Sequence, residues 1–268
     1  MNSSKTVLIT GAGTGIGRAL AIEAAQKGFD LILVGRTSST LEETLSQCNA
    51  AQARSTQARS IVADVTSPQG RAVITQAVSG RLDILINNAG VLSVGHLADM
   101  TDENLQRMAE TNLVAPMALS RDLLSALRSA KGRIVNIGSV FGDIAYPFFA
   151  GYSATKFGLR GFSDAIRREL SGTGIGVTYV APRATQTAAE SAFGALVEPL
   201  DMTLDTAETV AAQAWDAILK GKRESFPKGK ERFFVKVQRL FPSLVDKSVG
   251  AQARDPRTLA ALKTSHHS

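Results

Sequence analysis

The sequence predicts an α/β protein with a doubly wound parallel sheet, formed by one domain with a helical C-terminal extension. Three observations support this fold class. Short, nearly unbroken apolar runs recur six times between residues 6 and 180, they alternate with segments of helical spacing, and the connections are short. Strands without polar alternation are typical of parallel sheets whose two faces are both covered by helices.

The predicted elements can be placed in order along the chain. Strands are predicted at residues 6–10, 31–34, 60–63, 82–86, 133–137 and 176–180. Helices are predicted at residues 16–27, 41–50, 68–78, 102–129 (one or two helices) and 152–170. No seventh strand is predicted. Because no Pro/Ser-rich linker interrupts residues 1–220, residues 1–228 are interpreted as the main domain and residues 229–268 as the extension.

Charge is unevenly distributed along the 268 residues. The net charge of +6 and the sequence pI of about 9.6 raise the hypothesis of nucleic-acid or anionic-membrane binding. Residues 1–219, however, carry 18 Lys and Arg against 20 Asp and Glu, whereas residues 220–268 carry 12 against 4. The excess charge therefore belongs to the C-terminal part.

The composition excludes several classes of protein. A single cysteine, Cys48, cannot form an internal disulfide framework, and one Cys with three His makes a Cys/His zinc site improbable, so no metal is expected. The sequence has no apolar run long enough to span a bilayer and no N-terminal signal-peptide pattern, so a cytoplasmic location is predicted.

A glycine-rich segment links the first predicted strand to the first predicted helix. It contains Gly11, Gly13, Thr14, Gly15, Ile16 and Gly17. Glycines let the backbone approach a ligand closely, and the helix N-terminus behind them favours phosphate. Alone, such a segment could be only a tight turn; its place between strand and helix favours a dinucleotide site.

The ends of the second and third strands suggest which dinucleotide binds. Arg36 stands where NAD sites usually have an acidic residue for the ribose hydroxyls, and a guanidinium suits a 2′-phosphate. NADP(H) is therefore favoured over NAD(H), although Arg36 could also be a solvated loop residue. Asp64 and Val65 would suit the adenine edge; alternatively, Asp64 caps the next helix.

Together with further motifs, this segment resembles the short-chain dehydrogenase/reductase family over residues 5–220. The motifs, in the family's order, are Gly11-x-x-x-Gly15-x-Gly17, Asn87-Asn88-Ala89-Gly90, Asn112, Ser139 and Tyr152-x-x-x-Lys156. Ser139 precedes Tyr152 by 13 residues, which is the family's spacing. The resemblance implies a Rossmann fold and an oxidoreductase that transfers hydride between a nicotinamide cofactor and a carbonyl or alcohol.

The residue types suit that chemistry. Reduction of a ketone leaves an alkoxide that needs a proton, which the Tyr152 hydroxyl can give. Lys156 lies four residues further along one helix face, so its ammonium is expected to lower the pKa of Tyr152. Ser139 would hydrogen-bond the substrate oxygen. Each residue alone could be purely structural; their joint presence favours the catalytic interpretation.

The resemblance adds roles that the residue types do not show. It implies that Lys156 also holds the nicotinamide ribose, that Asn112 supports a water relay behind Lys156, and that the backbone of Asn88, Ala89 and Gly90 lines the adenosine ribose. After the sixth strand it implies cofactor contacts from Pro182, Arg183, Thr185 and Thr187. Arg183 replaces the glycine that is usual in the family; it could contact a cofactor phosphate or an acidic substrate, or simply face solvent.

The C-terminal extension departs most from the family. Residues 233, 237, 240, 241, 244 and 245 are apolar at helical spacing and alternate with Lys and Arg, and Pro242 should kink this helix or start a second one. A basic amphipathic stretch is typical of interfacial membrane binding, but it could equally pack on the body or across a dimer. In either case it could wall the substrate cleft. The polar stretch after Ala251 is expected to be loose.

The sequence thus favours an NADP(H)-dependent reductase of a hydrophobic ketone or aldehyde. An NAD-dependent alcohol dehydrogenase and a non-catalytic dinucleotide-binding protein remain as alternatives. Nucleic-acid binding is disfavoured because Phe233 and Phe234 are the only adjacent aromatic pair in a basic run. Family habit implies a homodimer or homotetramer built on the helices within residues 102–129 and 152–170. Substrate specificity is expected from the loop at residues 188–206.

Overall fold

A computed structural model describes residues 4–52 and 56–265. Its core is a seven-stranded, all-parallel sheet, which confirms the predicted fold class. In spatial order the strands are β3 (Ala58–Val62), β2 (Asp30–Gly35), β1 (Thr6–Thr10), β4 (Ile84–Asn87), β5 (Arg133–Ile137), β6 (Gly176–Val180) and β9 (Glu224–Ser225). The first, fifth and sixth predicted strands have the predicted bounds, and the others shift by one or two residues at an end.

The expectation of no seventh strand is wrong. Strand β9 has only two residues, and it pairs with the end of β6 at Tyr179 and Val180. No sequence pattern marks so short a strand, because two residues cannot show an apolar run. Its place in the sheet is decided by the partner strand.

Helices cover both faces of the sheet. On the main domain they are α1 (Gly15–Gln26), α2 (Ser38–Ala51), α3 (Pro68–Ala77), α4 (Asp102–Ala109), α5 (Ala115–Asp122), α6 (Leu124–Ala130), α7 (Ala150–Glu169) and α8 (Ala207–Leu219). One apolar core lies between the sheet and α1, α2 and α8, and the other between the sheet and α3, α5, α6 and α7. The predicted helical stretch 102–129 is divided by a π-helical turn at Glu110–Val114.

A crevice follows from the strand order. The chain leaves β1 for α1 on one face, and after the neighbouring β4 it packs α5 on the other face. The carboxyl ends of these two strands are therefore left uncovered, which is where ligands bind in doubly wound sheets. A two-stranded parallel pair, β7 (Thr185–Gln186) with β8 (Asp205–Thr206), closes the loop between them beside this crevice.

The C-terminal extension forms three helices: α9 (Glu231–Leu240), α10 (Pro242–Ala253) and α11 (Pro256–Ser265). The start of α10 at Pro242 confirms the predicted break. The expectation of a loose stretch after Ala251 is wrong, because α11 buries Thr258 and Leu262. No helix within the described ranges is both long and apolar enough to cross a membrane.

Candidate active site

One cavity of about 450 Å³ occupies the crevice at the carboxyl ends of the strands. Every residue that the sequence analysis assigned to the cofactor lines it. These residues are Gly11, Gly13, Thr14, Gly15, Ile16, Gly17, Arg36, Asp64, Val65, Asn88, Ala89, Gly90, Tyr152, Lys156, Pro182, Arg183, Thr185 and Thr187. Ser139 lines the cavity as well, whereas Asn112 lies behind Gly90.

The glycine loop has the shape that a bound phosphate requires. Gly11 has a φ of +63°, and a Cβ atom on Gly17 would lie 2.0 Å from the Gly11 carbonyl oxygen. Only glycine at position 17 allows helix α1 to approach the loop this closely. The guanidinium of Arg18 then fixes the loop through two hydrogen bonds to the Gly13 carbonyl, 2.7 and 3.1 Å long.

The N-terminus of α1 is open to an anion. Its N-cap residue, Thr14, makes no side-chain capping bond, and the first turn carries no acidic residue. The first N–H groups of the helix, with the positive end of its dipole, are therefore available to a phosphate. A pyrophosphate group fits these donors and the space that the missing Cβ atoms leave.

Arg36 and Asp64 face the cavity together at the ends of β2 and β3. Asp64 accepts hydrogen bonds from the backbone N–H of Thr66 (2.9 Å) and from its hydroxyl (2.8 Å). These bonds, and then the positive charge of Arg36, lower the pKa of Asp64. The alternative that Asp64 caps α3 is wrong, because Ser67 is the cap and accepts from the Gly70 N–H.

The Asn87–Gly90 segment is tied to β1. The Thr10 hydroxyl accepts hydrogen bonds from the N–H groups of Asn88 and Ala89, both 3.0 Å long. The Asn88 side chain donates in return to the carbonyl of Thr10 (3.0 Å). This arrangement fixes the backbone that lines the middle of the cavity.

Asn112 lies within the π-helical turn and is almost fully buried. Its side chain accepts from the Val91 N–H and donates to the Val91 carbonyl, both at 2.8 Å, and it donates to the Thr155 hydroxyl at 3.2 Å. It therefore joins the segment after Gly90 to helix α7. A role in a water relay stays a prediction.

Ser139 and Tyr152 meet in the cavity. The hydroxyl of Ser139 accepts a hydrogen bond from the Phe141 N–H (3.1 Å), and Tyr152 lines the same cavity. Burial raises the pKa of Tyr152 to about 12, although the nearby Ser139 side chain acts in the opposite direction. The expectation that Lys156 lowers the pKa of Tyr152 below its usual value is therefore wrong, because desolvation of the phenolate outweighs the stabilising interactions.

Lys156 is buried beside Tyr152. Its ammonium lies 5.5 Å from the centre of the Tyr152 ring and donates to the Ile137 carbonyl at 3.0 Å. Burial lowers the pKa of Lys156 to about 8. Both groups are thus less prone to carry charge than they would be in water.

Tyr179, in β6, is a structural support of the site that the sequence analysis missed. Its hydroxyl accepts from the Ser139 N–H and donates to the Ser139 carbonyl, both at 3.3 Å. Its ring fills the space beside Gly138 and Gly142, where an added Cβ would lie 2.1 and 2.4 Å from Tyr179 atoms. The two glycines that flank Ser139 were the available signal, since they indicate a close neighbour but not which one.

Arg183 takes a place that the sequence analysis did not foresee. Its guanidinium pairs with Asp205 at 2.7 Å and with Glu231 of α9 at 2.6 Å, so it does not simply face solvent. A second ion-paired cluster joins the other end of α9 to the site: Asp143 binds Arg160 of α7 at 3.0 Å and Arg239 of α9 at 2.9 Å. Both clusters connect the extension to loops that line the cavity.

The end of the cavity near Tyr152 is apolar. Phe141, Phe149, Phe193 and Met202 line it, and the sequence analysis named none of them as site residues. They belong to a cluster of apolar side chains that also contains Leu262 of α11. Helix α11 contacts the turn at Gly194–Leu196, next to Phe193, so the extension supports this wall.

The doubly wound fold and the glycine loop at the N-terminus of α1 are typical of dinucleotide-binding proteins, and sequence comparison gives the family. The family model described as short chain dehydrogenase matches residues 5–195. The chain therefore belongs to the short-chain dehydrogenase family, as the motifs indicated.

Individual relatives show similarity at moderate identity. A ketoacyl reductase, HetN, from Nostoc sp. is 40% identical over 184 residues, which cover 67% of this chain and 63% of the relative. Retinol dehydrogenase 5 from Mus musculus is 36% identical over 186 residues, 67% of this chain and 56% of the relative. The chain thus matches less than two thirds of the length of either relative.

Among solved structures, an actinorhodin polyketide ketoreductase variant with NADPH superposes with a TM-score of 0.75 at 28% identity. The superposition covers 84% of this chain and 95% of that chain. Similarity thus extends over nearly the whole of the ketoreductase.

The buried lysine predicts a specific pH dependence of stability. With a pKa of about 8 in the folded state against 10.5 for the free side chain, Lys156 binds more protons when unfolded, so its contribution to the free energy of unfolding rises with pH across this window. Relative to Lys156→Met, the wild type should gain about 3 kcal/mol between pH 8 and pH 10.5. Urea titrations followed by the fluorescence of Trp215, the single tryptophan, measure this.

Lys228, which is exposed, offers the control. The Lys228→Met variant should follow the wild type across the same pH range. Parallel curves for the wild type and Lys156→Met would show that Lys156 is not desolvated in the folded protein.

Proposed function

We propose that this protein is an NADP(H)-dependent carbonyl reductase acting on a hydrophobic ketone or aldehyde. The observation that carries the proposal is that Ser139, Tyr152 and Lys156 line one cavity between the glycine loop and an apolar wall. It rests also on the family, whose members include the ketoacyl reductase and retinol dehydrogenase relatives.

The cavity fits a nicotinamide dinucleotide with a 2′-phosphate. The pyrophosphate would lie on the N-terminus of α1, and Arg36 would pair with the 2′-phosphate of the adenosine ribose. Asp64 and Val65 would flank the adenine, and Asn88, Ala89 and Gly90 would line its ribose. Lys156 would hold the nicotinamide ribose, and the loop from Pro182 to Thr187 would contact the nicotinamide end. The similar ketoreductase structure contains NADPH.

Tyr152 is the proposed general acid in reduction. The bound cofactor supplies the hydride to the carbonyl carbon. Tyr152, whose pKa is about 12, retains its proton at neutral pH and can give it to the developing alkoxide, while the Ser139 hydroxyl orients the carbonyl oxygen. Lys156 would favour the phenolate that remains, and Asn112 would position helix α7 and the proposed water relay. In the reverse oxidation Tyr152 would act as the base.

An apolar carbonyl substrate suits the wall formed by Phe141, Phe149, Phe193 and Met202. Two of these residues, Phe193 and Met202, lie in the loop at residues 188–206, which supports that loop as the source of specificity.

The NAD-dependent alternative differs only in cofactor affinity. Arg36 is the observation against it, because a guanidinium at this position offers no acceptor to the ribose hydroxyls. A non-catalytic dinucleotide-binding protein would not require Ser139, Tyr152 and Lys156 together in the cavity.

For assembly, we propose a homodimer or homotetramer through α4, α5 and α7. These helices expose Leu105, Met117 and Phe157 by 36, 41 and 42%, which is apolar surface that a second subunit would cover. A cytoplasmic location stays part of the proposal, as does the absence of nucleic-acid binding.

Tyr152→Phe should reduce kcat for ketone reduction by about 100- to 10,000-fold, because it removes the proton donor. The dissociation constant of NADPH should change little. Tyr146→Phe is the matched control, since Tyr146 is not among the lining residues of the cavity, and it should retain kcat. Steady-state kinetics with fluorescence titration of NADPH measure both quantities, and a Tyr152→Phe enzyme with most of its kcat would refute the mechanism.

Arg36→Ala should raise the dissociation constant of NADPH about tenfold or more, the effect of losing a hydrogen-bonded charge pair. The dissociation constant of NADH should stay nearly constant, because NADH lacks the 2′-phosphate. The exposed Arg128, changed to Ala, serves as the control. The cofactor assignment fails if the wild type binds NADH more tightly, or if Arg36→Ala weakens both cofactors equally.

Leu262→Ala should raise KM for long-chain ketones several-fold while leaving KM for short ketones and NADPH affinity nearly unchanged. The physical reason is that Leu262, 2% exposed, supports the apolar wall from α11. Leu259→Ala on the same helix, where the side chain is 38% exposed, should affect neither KM. Equal changes for long and short ketones would argue against a substrate wall supported by the extension.

A further inference from the structure

Helix α9 packs against the main domain on one side only. Val235 is its single buried residue, whereas Phe233 and Leu240 are 65 and 71% exposed. These two residues are seven positions apart, which is two helical turns, so they lie on the same face. Phe234, at 42% exposed, lies beside Phe233, with ring centroids 5.9 Å apart.

The exposed surface continues across the corner between α9 and α10. Phe241 at the corner is 58% exposed, and Leu244 in the first turn of α10 is 61% exposed. We call Phe233, Phe234, Leu240, Phe241 and Leu244 the apolar patch. Five large exposed side chains within twelve residues mark an interaction surface, because single exposed apolar residues are ordinary but contiguous ones are not.

Positive charge surrounds the apolar patch. Residues 228–247 contain six Lys and Arg, namely Lys228, Lys230, Arg232, Lys236, Arg239 and Lys247. They contain two acidic residues, Glu231 and Asp246, and Glu231 is paired with Arg183. Arg232 and Lys236 are exposed on α9 next to Phe233. The rim of the patch is therefore cationic.

The orientation of α9 is fixed by ion pairs at both ends. Glu231 in its first turn binds Arg183, and Arg239 in its last turn binds the buried Asp143. Val235 packs against the body between these two anchors. The helix therefore presents Phe233 and Leu240 outward instead of turning them toward the sheet.

The positive charge around the apolar patch indicates which partner would bind there. A second copy of this chain would bring a cationic rim against a cationic rim, which is unfavourable. A bilayer with anionic lipids offers both complementary charge for the rim and an apolar interior for the aromatic and leucine side chains.

We propose that the apolar patch and its cationic rim form a docking surface for an anionic membrane. Helix α9 inserts Phe233 and the α9–α10 corner inserts Leu240 and Phe241 to the depth of the headgroups, while Arg232, Lys236 and Lys247 bind lipid phosphates. This goes beyond the proposed reductase function and does not depend on it.

Co-sedimentation of the full chain with vesicles tests the proposal. The protein should bind phosphatidylcholine vesicles that contain phosphatidylglycerol, and high salt should weaken this binding. Arg232→Gln with Lys236→Gln should lower the partition coefficient about 25-fold, at about fivefold per cation. Phe233→Ser with Leu240→Ser should lower it at least about tenfold.

Control variants with the same kinds of substitution can be made on other surfaces of the protein. Arg128→Gln with Arg168→Gln removes two exposed cations elsewhere, and Leu97→Ser with Leu219→Ser removes leucines that are 70 and 58% exposed. Both should bind vesicles like the wild type. Thermal unfolding of each variant confirms that the fold is intact, and this readout is separate from catalysis.

Three results would overturn the proposal. The first is no binding to the anionic vesicles at low salt. The second is equal loss in the patch variants and their matched controls. The third is a dimer that light scattering detects without vesicles and that is lost in the double variant Phe233→Ser with Leu240→Ser. This result would assign the apolar patch to a second copy of the chain.

Discussion

The site depends on the divergence of the chain at β1 and β4. These neighbouring strands send their following helices to opposite faces of the sheet, so that their carboxyl ends stay open. The close approach of Gly17 to the Gly11 carbonyl places the N-terminus of α1 at this opening. Every other part of the site, from the Asn88 segment to the Ser139 loop, is arranged around the resulting cavity.

Desolvation sets the chemistry at the inner end of the cavity. Tyr152 and Lys156 both lose water around their polar groups. Burial raises the pKa of Tyr152 to about 12 and lowers the pKa of Lys156 to about 8, and each shift favours the uncharged form of that residue. Simple charge proximity would have lowered the pKa of Tyr152. The burial that raises it leaves a phenol that holds its proton at neutral pH, as the proposed general-acid role requires.

The C-terminal extension is integrated with the site. Two ion-paired clusters, at Arg183 and at Asp143, join α9 to the loops after β6 and β5, and α11 packs behind the apolar wall. A segment outside the residues matched by the family model therefore contacts the loops that line the cavity. Its outer face, with Phe233 and Leu240, remains uncovered in the described part of the chain.

The sequence by itself determined the layered fold, the glycine loop and the set of residues from Gly11 to Thr187 that line one cavity. Apolar runs, glycine spacing and the four-residue interval of Tyr152 and Lys156 are local patterns. Such patterns can be recognised in the sequence without knowledge of the tertiary structure. Only the tertiary structure decided what depends on distant partners: strand β9 on β6, Tyr179 beneath Ser139, the ion pairs of Arg183 and the raised pKa of Tyr152. Those features follow from burial and from contacts across many residues of chain, which no local pattern records.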